Sequence, residues 1–223
     1  MEFETLLESR RSIRSYDDSK EVTKEQIKQL VEAGIQAPSW KNSQTARYYC
    51  VLGAEAKEKF AKECLPEFNA NNTKGTGAYV VTTFVANRAG FDRSGNPDNE
   101  CGNGWGYYDL GLHNENFILK AKELGLGTLV MGIRDGEKIK EMLEIPETET
   151  VVSVISVGYI KDNPPKPKRK EADDISSCLS KITTFSPSRD RYRFLPVTYK
   201  VFNRRFISHH PFLLFFDQFI FFQ

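Results

Sequence analysis

An α+β fold is predicted for this chain, and three observations predict it. The runs 48–52 and 78–86 are dense in Val, Thr, Tyr and Phe, the composition of strands on a packed sheet. Residues 107–124 form the longest helical pattern, with Leu110, Asn114, Phe117, Ala121 and Leu124 near one face. Strands do not alternate strictly with helices, as the α+β arrangement requires.

The elements follow in order. Residues 3–9 read as a short helix with Leu6 and Leu7 on its apolar side. Thr23 opens a second helix, with Gln26 three residues on completing a capping box, and Ile27, Leu30, Val31 and Ile35 recur at helical spacing. Pro38 stops this helix, so the polar segment 39–44 is expected in the loop beyond it. After the strand at 48–52, the Lys/Glu/Ala-rich run 54–64 reads as a helix. A mostly buried strand at 78–86 precedes a Gly-, Asn- and Asp-rich stretch, 88–106, expected to be a long mobile loop. Its glycine-rich end, 102–106, reads as a flexible lid with Trp105 and Tyr107 as candidates to face substrate; the alternative is a surface Trp held in the loop by packing. The segment is no P-loop, because the Lys-Ser/Thr pair is missing. The long helix closes at Gly125-Leu126-Gly127, a glycine cap. Strands at 128–132 and 151–160 flank a helix at 137–143.

At 223 residues the chain can hold one domain with a sizeable core. The formal net charge of +1 conceals an asymmetry: residues 1–175 carry a net −4, so the body lacks the basic surplus that nucleic-acid binding needs. Cys50, Cys64, Cys101 and Cys178 are scattered without a C-x-x-C pair, which argues against structural zinc and for reduced thiols in the cytoplasm. The acidic N-terminus has no signal-peptide pattern, and no run approaches the ~20 apolar residues of a membrane helix. Residues 176–223 hold ten of the sixteen Phe and not one Gly, Ala or Glu. That composition divides the chain into a domain at 1–175 and an atypical tail at 176–223. The tail reads as out-of-frame or readthrough sequence; the alternative is an aromatic anchor for a membrane surface or a partner.

Two segments carry chemistry. Arg10-Arg11-Ser12-Ile13-Arg14 concentrates three forked cationic donors, suited to phosphate or to a carbonyl-rich ring. Ala37-Pro38-Ser39-Trp40-Lys41-Asn42-Ser43-Gln44 offers hydroxyls and amides that can read the edge of a flat heterocycle, with a Trp to cover a face. Together they look like two halves of a nucleotide-type cofactor site. The plainer alternative is a charged turn and a polar surface loop. No Ser-His-Asp or Cys-His constellation is present.

In order and spacing these segments resemble the signature of the FMN-dependent nitroreductase family. The resemblance extends through Asp109-Leu110-Gly111, Asn114, Asn116 and the run 121–128 to Val157-Gly158-Tyr159 and the basic run 164–170, covering about residues 3–175. It implies a dimeric α+β fold with an antiparallel or mixed sheet flanked by helices. It also implies that Arg10, Ser12 and Arg14, with Arg11 beside them, contact the phosphate and carbonyl edge of FMN, and that Lys168 and Arg169 complete the phosphate grip. Pro38, Ser39, Trp40, Asn42 and Gln44 would reach the flavin of the partner subunit in a homodimer. Many family members have Pro-Trp after that Gln, whereas Thr45-Ala46 follow here. Asn71 and Lys74 would touch the ring, and the backbone of Val130, Met131 and Gly132 would approach its hydride-accepting nitrogen. The implied reaction is ping-pong: NAD(P)H reduces FMN, then a small electron-poor acceptor such as a nitroaromatic or quinone takes its place. No catalytic side chain is implied. The rivals are a relative with narrower chemistry, such as reductive dehalogenation, and a flavin-binding sensor without turnover.

Overall fold

A computed structural model describes residues 1–178. Most of the tail expected at 176–223 lies outside the described residues. The chain separates into two compact units, Met1–Arg169 and Lys170–Gln223. Within the described part of the second, a single 3-10 turn spans Ala172–Asp174, with Glu171 and Asp174 capping one another.

The first unit contains helices α1 (Phe3–Ser9), α2 (Lys24–Gly34), α3 (Ala54–Cys64), α4 (Glu67–Asn72), α5 (Gly104–Glu123) and α6 (Gly136–Leu143). Its strands are β1 (Ala46–Val51), β2 (Ala78–Val85), β3 (Leu126–Met131) and β4 (Glu149–Tyr159). They form one sheet in the order β1-β2-β4-β3, with every neighbouring pair antiparallel. Among the described residues no helix is long and apolar enough to cross a membrane.

The two central strands are apolar on both sides because both faces of the sheet are covered. Tyr79 and Val81 of β2 pack with Phe60 and Cys64 of α3 and Ile139 of α6. Ala78 and Val80 turn the other way, onto Ile27 and Leu30 of α2 and Phe117, Ile118 and Ala121 of α5. This alternation is what a period of two requires of a strand buried between two layers.

Local signals explain most boundaries. Thr23 caps α2 through a complete capping box: its hydroxyl accepts from Gln26 N, and the Gln26 side chain accepts from Thr23 N. Asp135 caps α6 through the Lys138 amide. Of the expected apolar pair on α1, Leu6 is buried and Leu7 is exposed. Helix α2 ends at Gly34, four residues before Pro38, where α2 meets α5: a Cβ on Gly34 would lie 2.9 Å from the Tyr48 hydroxyl and 3.3 Å from His113 O.

Residues 88–103 form the loop that composition predicts, whereas 104–106, expected in a lid, open α5. Asn87 and Asn103 bond reciprocally across the base of the segment, at 2.7 and 2.9 Å. Asp92 Oδ1 accepts from the amides of Ser94 and Asn96, and Asn99 Oδ1 accepts from Trp105 Nε1. The supposed lid is largely the first turn of α5. Gly106 lets that turn press against β2, since a Cβ there would fall 2.3 Å from the Phe84 ring. Abundant Gly and Asn reflect tight turns and close approach here, where composition alone suggests freedom.

Candidate functional site

The arginine run leaves α1 as extended chain and adds itself to the edge of the sheet. Ser12 bridges Thr128 in parallel, Ile13 N donates to Thr128 O at 2.9 Å, and Tyr16 bridges Ile160 in the antiparallel sense. Ile13 is almost fully buried and sits on Gly127, where a Cβ would come within 2.5 Å of its side chain. The period-two alternation of extended chain then places Arg10, Ser12 and Arg14 opposite Ile13. Tyr16 braces the strip from below: its hydroxyl donates to Ile13 O at 3.1 Å and lies 2.7 Å from Ser156 Oγ. Burial pushes the Tyr16 phenol well above its ordinary pKa, so it stays neutral.

Arg11 departs from this face. Its Nη1 donates to Glu8 O and Arg10 O at 2.6 and 2.7 Å, capping the end of α1.

Arg14, Asn71 and Lys74 come together although far apart in sequence. With Ser15, Tyr16, Asp18, Gly75 and Lys161 they line a cleft of about 260 Å³. Arg14, Lys74 and Lys161 make no ion pair among the described residues, and neither does Arg10. Asn71 sits on α4, an element the sequence reading does not assign. Asn69 of the same helix donates to Ile133 O at 2.8 Å, tying α4 to the end of β3.

At that end Val130 is half-exposed, Met131 buried and Gly132 exposed. Residues 128 and 130 direct their backbone groups to the same edge, and Ile13 occupies it only as far as Thr128. The Val130 edge is therefore open, and a Cβ on Gly132 would meet nothing within 4 Å. Lys168 and Arg169 are exposed on the segment after β4, which Lys166 fastens to Glu8 of α1. That ammonium draws the Glu8 carboxyl below its usual range.

The segment 39–44 lies elsewhere. A 3-10 turn, Trp40–Asn42, carries it, and Trp40 N donates to Asp109 Oδ2 of α5 at 2.9 Å. Ser39 Oγ accepts from Gln44 N, Lys41 pairs with Asp98, and the Trp40 ring lies 4.4 Å from that of Trp105. Lys41, Asn42 and Gln44 are all left-handed, with φ of 47°, 54° and 48°. Ser39, after Pro38, leads into this turn in extended conformation. Within one chain the loop packs near the start of α5, whereas Arg10 and Arg11 lie beside Ile118 and Lys122 near its end. From Asp109 to Lys122 the separation is roughly 20 Å along the helix, at about 1.5 Å per residue.

Two larger depressions, of about 870 and 800 Å³, flank α3. The first contains none of the expected site residues and the second only Asn71 and Lys74, so size is a poor guide here. The convergence of unpaired cations favours the smaller cleft. Sequence reasoning missed Ser15 and Lys161, which carry no pattern, and the role of Asp109, a buried acid one turn from His113 on α5. Among the described residues no group of acids, Cys and His could hold a metal.

The model of the nitroreductase family matches residues 7–159. This chain belongs to the nitroreductase family. A protein of Archaeoglobus fulgidus, provisionally named NADH dehydrogenase/NAD(P)H nitroreductase, is 31% identical over 162 residues, covering 70% of this nitroreductase and 84% of the relative. The FMN reductase [NAD(P)H] of Bacillus subtilis is 32% identical over 174 residues, covering 73% and 68%. A nitroreductase structure solved in complex with FMN, from Exiguobacterium sibiricum, superposes with a TM-score of 0.66 at 22% identity, covering 80% of this chain and 98% of that one.

Proposed function

We propose that this nitroreductase is an NAD(P)H-dependent flavin oxidoreductase that binds FMN and reduces electron-poor acceptors such as nitroaromatics or quinones. The observation that carries the reading is the meeting of Arg14, Lys74, Lys161 and Asn71 in one cleft, at the end of the extended strip that also carries Arg10 and Ser12. This donor set is cationic and unpaired, and it offers charge-assisted bonds to an anionic or carbonyl-rich ligand. The open backbone at Val130 and Gly132 adds room for a flat ring against the sheet edge. The residues present therefore fit FMN.

FMN, when bound, supplies the hydride chemistry, and the protein supplies binding, orientation and charge. Arg10, Ser12 and Arg14 hold the phosphate and the carbonyl edge, and their charge favours an electron-rich ring. Asn71 of α4 and Lys74 just beyond it would hold the ring, and the free edge at Val130 and Gly132 would lie beside it. Lys168 and Arg169 extend the cationic grip on the phosphate. No side chain is needed as acid or base. The open edge at Val130 and Gly132 would leave one face for NAD(P)H and the acceptor to use in turn, the basis of a ping-pong scheme.

The loop 39–44 serves the site of a second copy. The roughly 20 Å between loop and strip along α5 separates them too far to share one ring within a chain. A homodimer with two composite sites reunites them. The visible spectrum of the purified protein, with steady-state NADH oxidation in the presence and absence of menadione, tests the reading. Flavin bands and menadione-dependent turnover are expected. A colourless protein that does not take up FMN overturns it, and bound flavin without turnover leaves a flavin-binding protein.

A further inference from the structure

We infer that Asp109 is a positioning residue for the cofactor-facing loop 39–44, so that its loss empties the site of the neighbouring subunit and leaves its own chain's arginine strip intact. The inference rests on the composite-site reading above.

Asp109 is an acid where the fold asks for none. It is 3% exposed on α5, beside Leu110, itself fully buried. Burying a carboxylate is costly unless a strong bond compensates, and an apolar side chain would meet the packing need alone. Among the described residues Asp109 accepts one hydrogen bond, from Trp40 N at 2.9 Å. That bond enters the loop at the start of its strained part. Lys41, Asn42 and Gln44 lie in a backbone region that non-glycine residues adopt only when their surroundings impose it.

The other restraints are weaker or more peripheral. Lys41 and Asp98 form a solvent-facing ion pair, and Ser39 Oγ to Gln44 N is internal to the turn. Trp40 against Trp105 restrains the ring and leaves the backbone free to rotate. Among the described residues Asp109 alone hydrogen-bonds the loop backbone to α5. Without it Trp40 N loses its acceptor, the three left-handed residues relax, and Asn42 and Gln44 leave the orientation in which a second subunit's cofactor would meet them.

The test combines variants in trans. Asp109→Leu fills the buried volume without an acceptor, Asp109→Ala removes both, and Asp109→Asn keeps a carbonyl oxygen for the Trp40 amide. For Leu and Ala, FMN affinity is expected to fall at least tenfold; for Asn, it is expected to stay within a few-fold of wild type. Asp109→Leu is then co-expressed with Arg14→Ala under different tags, and the mixed dimer is isolated. One of its sites joins an intact strip to an intact loop, so half the sites are expected to regain wild-type affinity, although neither parent has such a site.

Wild-type affinity in both the Leu and the Ala variant overturns the inference. So does a folded mixed dimer that recovers no site, because Asp109 would then act within its own chain. Failure of both variants to dimerise assigns Asp109 to the stability of the fold and also overturns it. A wild-type protein without FMN affinity overturns the functional reading itself, and is seen before any variant is made.

Discussion

At the scale of single residues, the extended strip sorts neighbouring arginines into different jobs. Arg10 and Arg14 share a face with Ser12, whereas Arg11 turns back to the carbonyls of Glu8 and Arg10. On the proposed reading, Arg10→Ala or Arg14→Ala removes a charge-assisted contact of ~1.5–3 kcal/mol. Isothermal titration with FMN is expected to show a roughly ten- to hundredfold loss of affinity for either. Arg11→Ala should change affinity by less than about threefold while loosening the end of α1, where an exposed cap contributes ~1 kcal/mol or less. Equal losses from all three variants would defeat this division of roles. The sequence could mark the three arginines as a group but could not separate them, because their division depends on Ile13 finding its place on Gly127. Asn71 and Lys74 were likewise legible only through family resemblance. The helix that presents Asn71 is six residues long and has no side-chain cap.

At the scale of elements, local signals and outcome agree wherever a cap or a period is strong. Thr23→Ala should cost ~1 kcal/mol in denaturant unfolding, since it opens the capping box of α2. Helix α5 carries a less visible liability. His113 is 3% exposed, and neither ring nitrogen has a partner among the described residues. Burial holds its pKa below the ordinary 6.5, with Asp109 pulling partly the other way. The folded protein thus favours the neutral ring, and the unfolded chain takes up the proton first as pH falls through 6.5. This contribution to stability is complete above that pH and is lost progressively below it. Asp109, raised by burial, acts in the opposite sense, but only from its ordinary 3.8 up to its raised value. Urea midpoints between about pH 7.5 and about pH 5 should fall for the wild type and flatten for His113→Leu. A slope unchanged by the substitution would rule out His113 as the source. The periodicity of α5 was readable, as were the strands of the sheet. What could not be read was the segment before α5, where Gly and Asn serve Asn87–Asn103 pairing and contact with Phe84. The same composition in an isolated peptide would mean freedom.

At the scale of the whole molecule, the proposed composite site makes association part of the chemistry. Light scattering with flavin absorbance, followed through a dilution series, should show dimer and bound FMN disappearing together. A monomer that keeps FMN tightly would end the composite-site model. The fold class was legible because apolar runs on β2 and β4 demand a layer on each face, and α2, α3, α5 and α6 supply both. The assembly was legible only through resemblance, since no single-chain pattern encodes a distance between two halves of a site. That distance is set by α5, which has a further consequence. One end of this helix steadies the strip of its own site, and the other anchors the loop offered to the neighbour. In the proposed dimer each α5 is therefore a strut shared by both reaction centres, and its length in turns is a fixed gauge. Inserting one residue between Asp109 and Ile118 would rotate one end against the other by about 100° and lengthen the strut by about 1.5 Å. Both centres would fall out of alignment together, although every residue that touches the cofactor would still be present.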